Sequence, residues 1–323
     1  MRPFDYTRAA AVDEAIGSLD AATRPYAGGT DLLTRMKIGI TTPERLVDVK
    51  SLDLPGTIET AADGGVTIGA LATLADIERH GFAPPLALLA EAASKAATPQ
   101  LRERATVGGN LLQRPRCWYY RNADVDCWLK GGDGCPAKSG RNEHHAIFGE
   151  GPCVAVHPSD LATCLTALGA QVTLRGVDGE RTLAMDEFFA EPEEGRRGEN
   201  VVRDDELVRS VTVPAPADGA RSVYLKAMDR KVWAFALVGV AAVASSGADG
   251  ERTLRLAASG VAAIPWRLGE LESRLADVAP GDEAALDAAI DAGLAGAAPL
   301  SNNAYKLPLL KRLVRRAVDR LDA

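Results

Sequence analysis

Apolar positions along the chain fall into short, separated periods rather than one long stripe, so the pattern predicts many small elements. A short strand candidate precedes Ala11–Leu19, whose apolar residues share one helical face. Arg45–Val49 and Val66–Gly69 read as strands. Thr73–Arg79 reads as a helix with Thr73 as its N-cap and Asp76 in its first turn, and Pro84–Ala97 as a second helix ending before Pro99. Further on, Leu161–Leu168 predicts a buried helix and Ala170–Leu174 a strand, with Asp178-Gly179 as a hairpin-type turn. Leu207–Val213 alternates like a strand and stops at Pro214, where residues 214–219 (PAPADG) read as a linker. The last hundred residues give strands at Ser222–Lys226, Ala236–Ala244 and Thr253–Ser259, then helices at Arg267–Ala276, Asp282–Leu294 and Tyr305–Leu321. Strands followed by helices predict an α+β domain with a small antiparallel sheet covered on one face.

The longest apolar run, Trp233–Ser245, is too short to cross a bilayer, which takes about 20 residues, and reads as a buried strand. Glu191–Glu199 (EPEEGRRGE) is charged and without period, as a surface loop would be. The 323 residues allow two or three domains. The net charge is −7 and no basic block stands out before the extreme C-terminus, which argues against nucleic acid as a partner. The first fifteen residues lack the apolar core of a signal peptide. A cytoplasmic location is the default expectation; a periplasmic one would require export with a signal-bearing partner.

Two diglycine segments stand out. In Ala27-Gly28-Gly29-Thr30-Asp31, consecutive glycines allow a turn with positive φ and bring N–H groups close to a bound anion, a nest for phosphate. The bland alternative is a tight strand-to-helix turn. Thr106-Val107-Gly108-Gly109-Asn110 reads as a second such turn, with Asn110 as a candidate turn cap. Two polar diglycine turns fit a dinucleotide gripped at its pyrophosphate from both sides. Neither is a GxGxxG fingerprint nor a P-loop.

Cys117, Cys127, Cys135 and Cys153 are four of the five cysteines, spaced C-x9-C-x7-C-x17-C in a loop rich in Gly, Lys, Asp and aromatics. A 4Fe–4S cluster tolerates such spacing, zinc usually shows short C-x2–4-C knuckles, and a metal-free loop is the third reading. Cys164 reads as plain core. His144 and His145 are candidate ligands, or hydrogen-bonding residues beside the loop. In His157-Pro158-Ser159-Asp160, Asp160 either accepts from a ribose or a ring nitrogen or caps the helix that follows at Leu161. No GxSxG elbow or HExxH motif is present, so a redox role leads over hydrolysis.

As a set, AGGTDLL at 27–33, ATVGGN at 105–110, HPSD at 157–160, YLKAMDRK at 224–231 and LAASGVAAIPWR at 256–267 resemble the FAD-binding subunits of the molybdenum hydroxylases, the xanthine dehydrogenase and carbon monoxide dehydrogenase family. The cysteine loop is similar to that of the bacterial aldehyde oxidoreductase type. The resemblance implies a two-lobed FAD-binding domain of the vanillyl-alcohol-oxidase (PCMH) type over residues 1–214. Lobe one would span about 1–55, lobe two about 56–214, the cysteine loop 114–155, and an α+β C-terminal domain 221–323. It implies that Ala27, Gly28, Gly29, Thr30, Asp31, Leu32 and Leu33 hold the pyrophosphate and ribityl chain, with Thr106, Gly109 and Asn110 opposite. Asp160 would contact the adenosine or ribityl hydroxyls, and Lys226 would reach the flavin. Cys117, Cys127, Cys135 and Cys153 would bind a 4Fe–4S cluster. No residue of this chain is expected to be catalytic towards an organic substrate. A large subunit with a molybdenum cofactor would act on it, a small subunit with 2Fe–2S clusters would pass electrons here, and an external acceptor would take them. The rivals are a hydroxybenzoyl-CoA-reductase-like or xanthine-dehydrogenase-like complex, a zinc-stapled structural subunit that has lost FAD, and a stand-alone flavin oxidase.

Overall fold

In the computed structural model, which describes residues 1–246 and 252–323, three separate sheets organise the chain. The first is built by β1 (Asp5–Arg8), α1 (Val12–Gly17), β2 (Thr23–Tyr26), α2 (Leu32–Lys37) and β3 (Arg45–Asp48). Its strand order is β1-β3-β2 with both pairings parallel. Parallel neighbours need crossovers, and α1 and α2 supply them. Ala15 and Ile16 of α1 close this small core against Val47 and Val49.

The second unit runs β4 (Ile58–Thr60), β5 (Val66–Gly69), α3 (Leu74–Arg79), α4 (Ala87–Ser94), α5 (Pro99–Arg102), α6 (Val107–Leu111), α7 (Asp160–Ala167), β6 (Gln171–Gly176), β7 (Gly179–Ala184), α8 (Met185–Phe188) and β8 (Leu207–Val213). Its five strands pair antiparallel in the order β4-β5-β8-β6-β7. The N-cap read at Thr73 is a full capping box: Thr73 Oγ1 accepts from Asp76 N, and the Asp76 carboxylate accepts from Thr73 N at 2.9 Å. The turn at Asp178-Gly179 closes the β6–β7 hairpin, with Gly179 at φ +111°.

The third unit has β9 (Arg221–Ala227), β10 (Val238–Ser246), β11 (Arg252–Ser259), β12 (Trp266–Arg267), α9 (Gly269–Leu275), α10 (Glu283–Gly293) and α11 (Lys306–Asp322). Its antiparallel order is β12-β11-β10-β9. Contrary to expectation, this sheet is covered on both faces. Val240 and Ala242 pack with Leu310, Val314 and Ala317 of α11, while Ala241 and Tyr224 join the core of the second unit beside Leu165. Successive residues of a strand point to opposite faces, and both parities of β10 are apolar, so both faces must be buried.

The apolar run from Trp233 does not form a strand at its start: β10 begins at Val238, and Trp233 lies in an exposed turn with φ +52°. Glu191–Glu199 is more than a surface loop. Glu199 is buried and paired with Arg114 at 3.0 Å, Glu194 accepts from Trp128 Nε1, and Arg197 donates to the carbonyls of Trp128 and Gly132. The segment straps the cysteine loop in place.

Candidate functional site

All three units meet around a cleft of about 580 Å³, within the roughly 300–1,000 Å³ usual for ligand sites. Ala27, Gly28, Gly29, Thr30, Asp31 and Leu32 line it; Leu33 does not. Gly29 turns the chain at φ +72°, and a Cβ on Gly28 would stand 1.8 Å from the Arg104 carbonyl oxygen. One glycine therefore makes the turn and the other admits the backbone of the neighbouring loop. Among the described residues, no acceptor takes the backbone N–H groups of residues 28–31. Free, adjacent N–H donors on a glycine turn suit an anion.

An aspartate beside such a nest would repel a phosphate, and the structure neutralises it. The Asp31 carboxylate accepts from Arg35 Nε at 3.1 Å, Arg121 Nη2 at 2.7 Å, the Arg114 backbone N–H at 3.1 Å, and the Arg116 guanidinium. Burial alone would raise its pKa, but Arg116, Arg121 and Arg35 outweigh that and hold it at about 2. Three guanidinium groups against one carboxylate leave positive charge in surplus around Asp31 itself, while Asp160, Asp204 and Glu206 bring acidic groups to the rest of the lining. Asp31 is thus the hub joining the first diglycine loop to the start of the cysteine loop. Arg116 and Arg121 were not singled out in the sequence; the run RPRCWYYR at 114–121, basic within an acidic chain, carried that signal.

The second diglycine segment is not a turn. It is the short helix α6, capped by Thr106, whose hydroxyl accepts from Gly109 N at 3.2 Å. Its N–H groups are spent: Val107 and Gly108 donate to the Ala72 and Ala70 carbonyls, and Asn110 to that of Thr106. Thr106, Gly109 and Asn110 do line the cleft, as does Gly108. Asn110 caps nothing, since it lies inside α6, where its side-chain oxygen accepts from Ser159 Oγ at 2.5 Å. This wall offers close approach and side-chain polarity instead of a nest.

HPSD knits the walls together. His157 donates from Nε2 to the Leu111 carbonyl and accepts at Nδ1 from Ser159 N, each at 3.3 Å; burial pushes its pKa down to about 3, so it stays neutral. Ser159, not Asp160, is the N-cap of α7, accepting from Ala162 N at 3.0 Å. Asp160 lines the cleft but is 4% exposed, and its carboxylate accepts from Tyr224 Oη at 2.6 Å and Lys226 Nζ at 2.8 Å. Burial first, and then this carboxylate, raise the Tyr224 hydroxyl well above its usual range. Lys226 is not among the lining residues. Its three donors are used by Asp160, the Lys95 carbonyl at 2.9 Å and the Ala234 carbonyl at 2.8 Å, which ties α4, α7 and the segment before β10 together.

The cysteine loop stands beside this cleft. Cys127 and Cys153 share a buried cluster with Tyr120, Trp128 and Leu129, against which Cys117 packs. Burial raises the Cys117 thiol to about 11 and also raises that of Cys127. The hydrogen bond between Cys135 and Cys153 lowers the former and raises the latter. His145 holds Nε2 3.1 Å from Cys117 Sγ and is kept neutral by burial, with a pKa near 4; His144 lies edge-on to Trp118. Cys164 is core, as read. Among the described residues, no three His, Cys, Asp or Glu side chains converge on one point as a single ion requires. A tetrahedral zinc holds its sulfurs at about 2.3 Å and so draws them together. A 4Fe–4S cluster gives each thiolate its own iron and needs them farther apart. The donor set beside the cleft is four thiols on one strapped loop, two of them, Cys135 and Cys153, hydrogen-bonded to each other.

A cleft where three units meet, with a glycine turn whose N–H groups are free and guanidinium groups beside it, has the chemistry to hold a phosphate-bearing ligand. Residues 2–216 match the FAD binding domain in molybdopterin dehydrogenase, and residues 223–321 match the CO dehydrogenase flavoprotein C-terminal domain. The chain is 37% identical over 320 residues to the aldehyde oxidoreductase FAD-binding subunit PaoB of Escherichia coli, covering 97% of this chain and 96% of that one. It is 29% identical over 325 residues to the carbon monoxide dehydrogenase medium chain of Hydrogenophaga pseudoflava, covering 98% and 96%. A solved carbon monoxide dehydrogenase from Hydrogenophaga pseudoflava matches the fold with a TM-score of 0.75 at 26% identity, over 99% of this chain and 98% of that one. The chain belongs to the FAD-binding medium subunits of the molybdenum hydroxylase family, and is an oxidoreductase subunit of that family's flavoprotein type.

Proposed function

We propose that this chain carries FAD and a 4Fe–4S cluster in a molybdenum-dependent aldehyde oxidoreductase, taking electrons from 2Fe–2S clusters of a small subunit and passing them to an external acceptor. A large subunit holding the molybdenum cofactor would oxidise the aldehyde. The observation that carries the aldehyde reading is the full-length 37% identity to an aldehyde oxidoreductase FAD-binding subunit. FAD, when bound, supplies two-electron redox chemistry.

The chain's own residues would grip and orient it. Free N–H groups of Gly28, Gly29, Thr30 and Asp31 meet the pyrophosphate, and the surplus charge of Arg35, Arg116 and Arg121 offsets its anionic oxygens. Thr106, Gly109 and Asn110 form the opposite wall. Lys226 acts on the site from behind it, by fixing Asp160 and the Ala234 carbonyl. Cys117, Cys127, Cys135 and Cys153 would ligate the cluster; what supports this over a zinc staple is four thiols on one loop without the short C-x2–4-C knuckles usual for zinc. Among the described residues no helix is long and apolar enough to cross a membrane.

Turnover tests the reading. The isolated chain mixed with an aldehyde and a redox dye should do nothing, and dye reduction should appear when the molybdenum and 2Fe–2S subunits are added. Aldehyde oxidation by the chain alone would sink the proposal in favour of a stand-alone oxidase.

A further inference from the structure

We propose that the turn before β10 is a fixed aromatic cover for the cofactor, with Trp233 lying over the planar redox ring and Phe235 at its edge. This rests on the FAD reading above, and its choice of ring on the cluster reading beside it. Trp233 and Phe235 both line the cleft, yet they are 58% and 49% exposed, and Val232 beside them is 74% exposed. Large apolar side chains grouped on the rim of a cofactor-sized cleft mark a surface with a partner.

The backbone beneath them is held, not loose. Trp233 has φ +52°, a conformation that bulky residues rarely adopt, and such outliers persist only where the surroundings over-determine them. Arg230 does so by donating from Nε and Nη2 to the Trp233 carbonyl at 3.0 and 2.6 Å, with its guanidinium 5.3 Å from the indole centroid. Lys226 fixes the next carbonyl, that of Ala234, and Leu237 N closes the loop on Ala227 O. A held backbone that presents a half-exposed indole at a cleft mouth, with Arg230 over the ring, is a stacking platform.

Its place selects the ring. Phe235 packs under the Arg116 guanidinium at 5.2 Å, one residue from Cys117, so the cover stands at the end of the cleft nearest the cysteine loop. A ring that exchanges electrons with a cluster on that loop belongs at that end.

The test is FAD titration into the deflavinated full chain, with iodide quenching of flavin fluorescence as a second readout. Trp233→Ala should weaken FAD binding about 10- to 100-fold, the scale of one lost stacking partner, and open the bound ring to iodide. Trp233→Phe should restore most of the affinity and the shielding, and Val232→Ala should change neither. Unchanged affinity and unchanged iodide access in Trp233→Ala would overturn the cover. So would a Trp233→Ala chain that keeps its flavin but no longer assembles with its partner subunits, which would make this turn a subunit contact. No FAD binding by the wild-type chain would remove the underlying reading, and the cover with it.

Discussion

Lys226 separates two roles that the sequence alone runs together. The family resemblance sends its ammonium to the flavin, whereas the structure spends all three donors on Asp160 and two carbonyls, with the side chain 1% exposed. Lys226→Met keeps the apolar stem and removes the charge. Asp160 is then buried with Tyr224 as its remaining donor, and the Lys95 and Ala234 carbonyls lose a partner. Breaking one side of a buried pair costs about 3–5 kcal/mol, because the other charge is left uncompensated. With about 2 °C lost per kcal/mol for a chain of this size, Tm should fall by about 6–10 °C. The assay is thermal and urea unfolding of the flavin-free chain, where no cofactor contact contributes. Asp160→Asn should cost less on top of Lys226→Met than alone, since contacting residues couple by about 0.5–3 kcal/mol. A loss under about 1 kcal/mol in the flavin-free chain, together with a changed flavin spectrum in the loaded one, would refute the structural role.

Other consequences follow from the same contacts. Gly28→Ala places a methyl against the Arg104 carbonyl, so it should destabilise the chain by at least about 1–3 kcal/mol and weaken FAD binding, both measurable by thermal shift with and without FAD. Asp31 has its pKa depressed to about 2 in the fold, so its contribution is complete above the unfolded value near 4 and is lost as pH falls through about 2. That amounts to about 2 kcal/mol, and Asp31→Asn should remove this part of the acid-unfolding curve. His157 is depressed to about 3, so protonation of the unfolded chain should erode stability from about pH 6.5 downward, with a shallower slope in His157→Asn by urea midpoint against pH. Cys135→Ser should lose iron by chemical assay while keeping its flavin.

Much of this was legible in the sequence where one local rule decides. Thr73 with Asp76 is a capping box and forms one, Gly28-Gly29 is a turn with a positive φ at Gly29, and the alternation of Leu207–Val213 is a strand. What failed depended on partners far along the chain. Asp160 looked like a helix cap because it precedes Leu161, but Ser159 is equally competent and Asp160 is claimed by Tyr224 and Lys226 from another sheet. Gly108-Gly109 resembled Gly28-Gly29 in composition, yet Thr106 caps it into a helix and the carbonyls of Ala70 and Ala72 take its donors. The charge on Glu199 suggested solvent, but Arg114, far back in the chain, draws it inside.

The central claim is that one chain holds a flavin in the glycine-floored cleft and an iron–sulfur cluster in the loop beside it. The most direct measurement is the visible spectrum of the anaerobically purified full chain, with iron, acid-labile sulfide and zinc assayed on the same sample. Flavin bands on a broad iron–sulfur absorption, with roughly four irons per chain, are the predicted result. A colourless, metal-free protein, or flavin with zinc in place of iron, would contradict it.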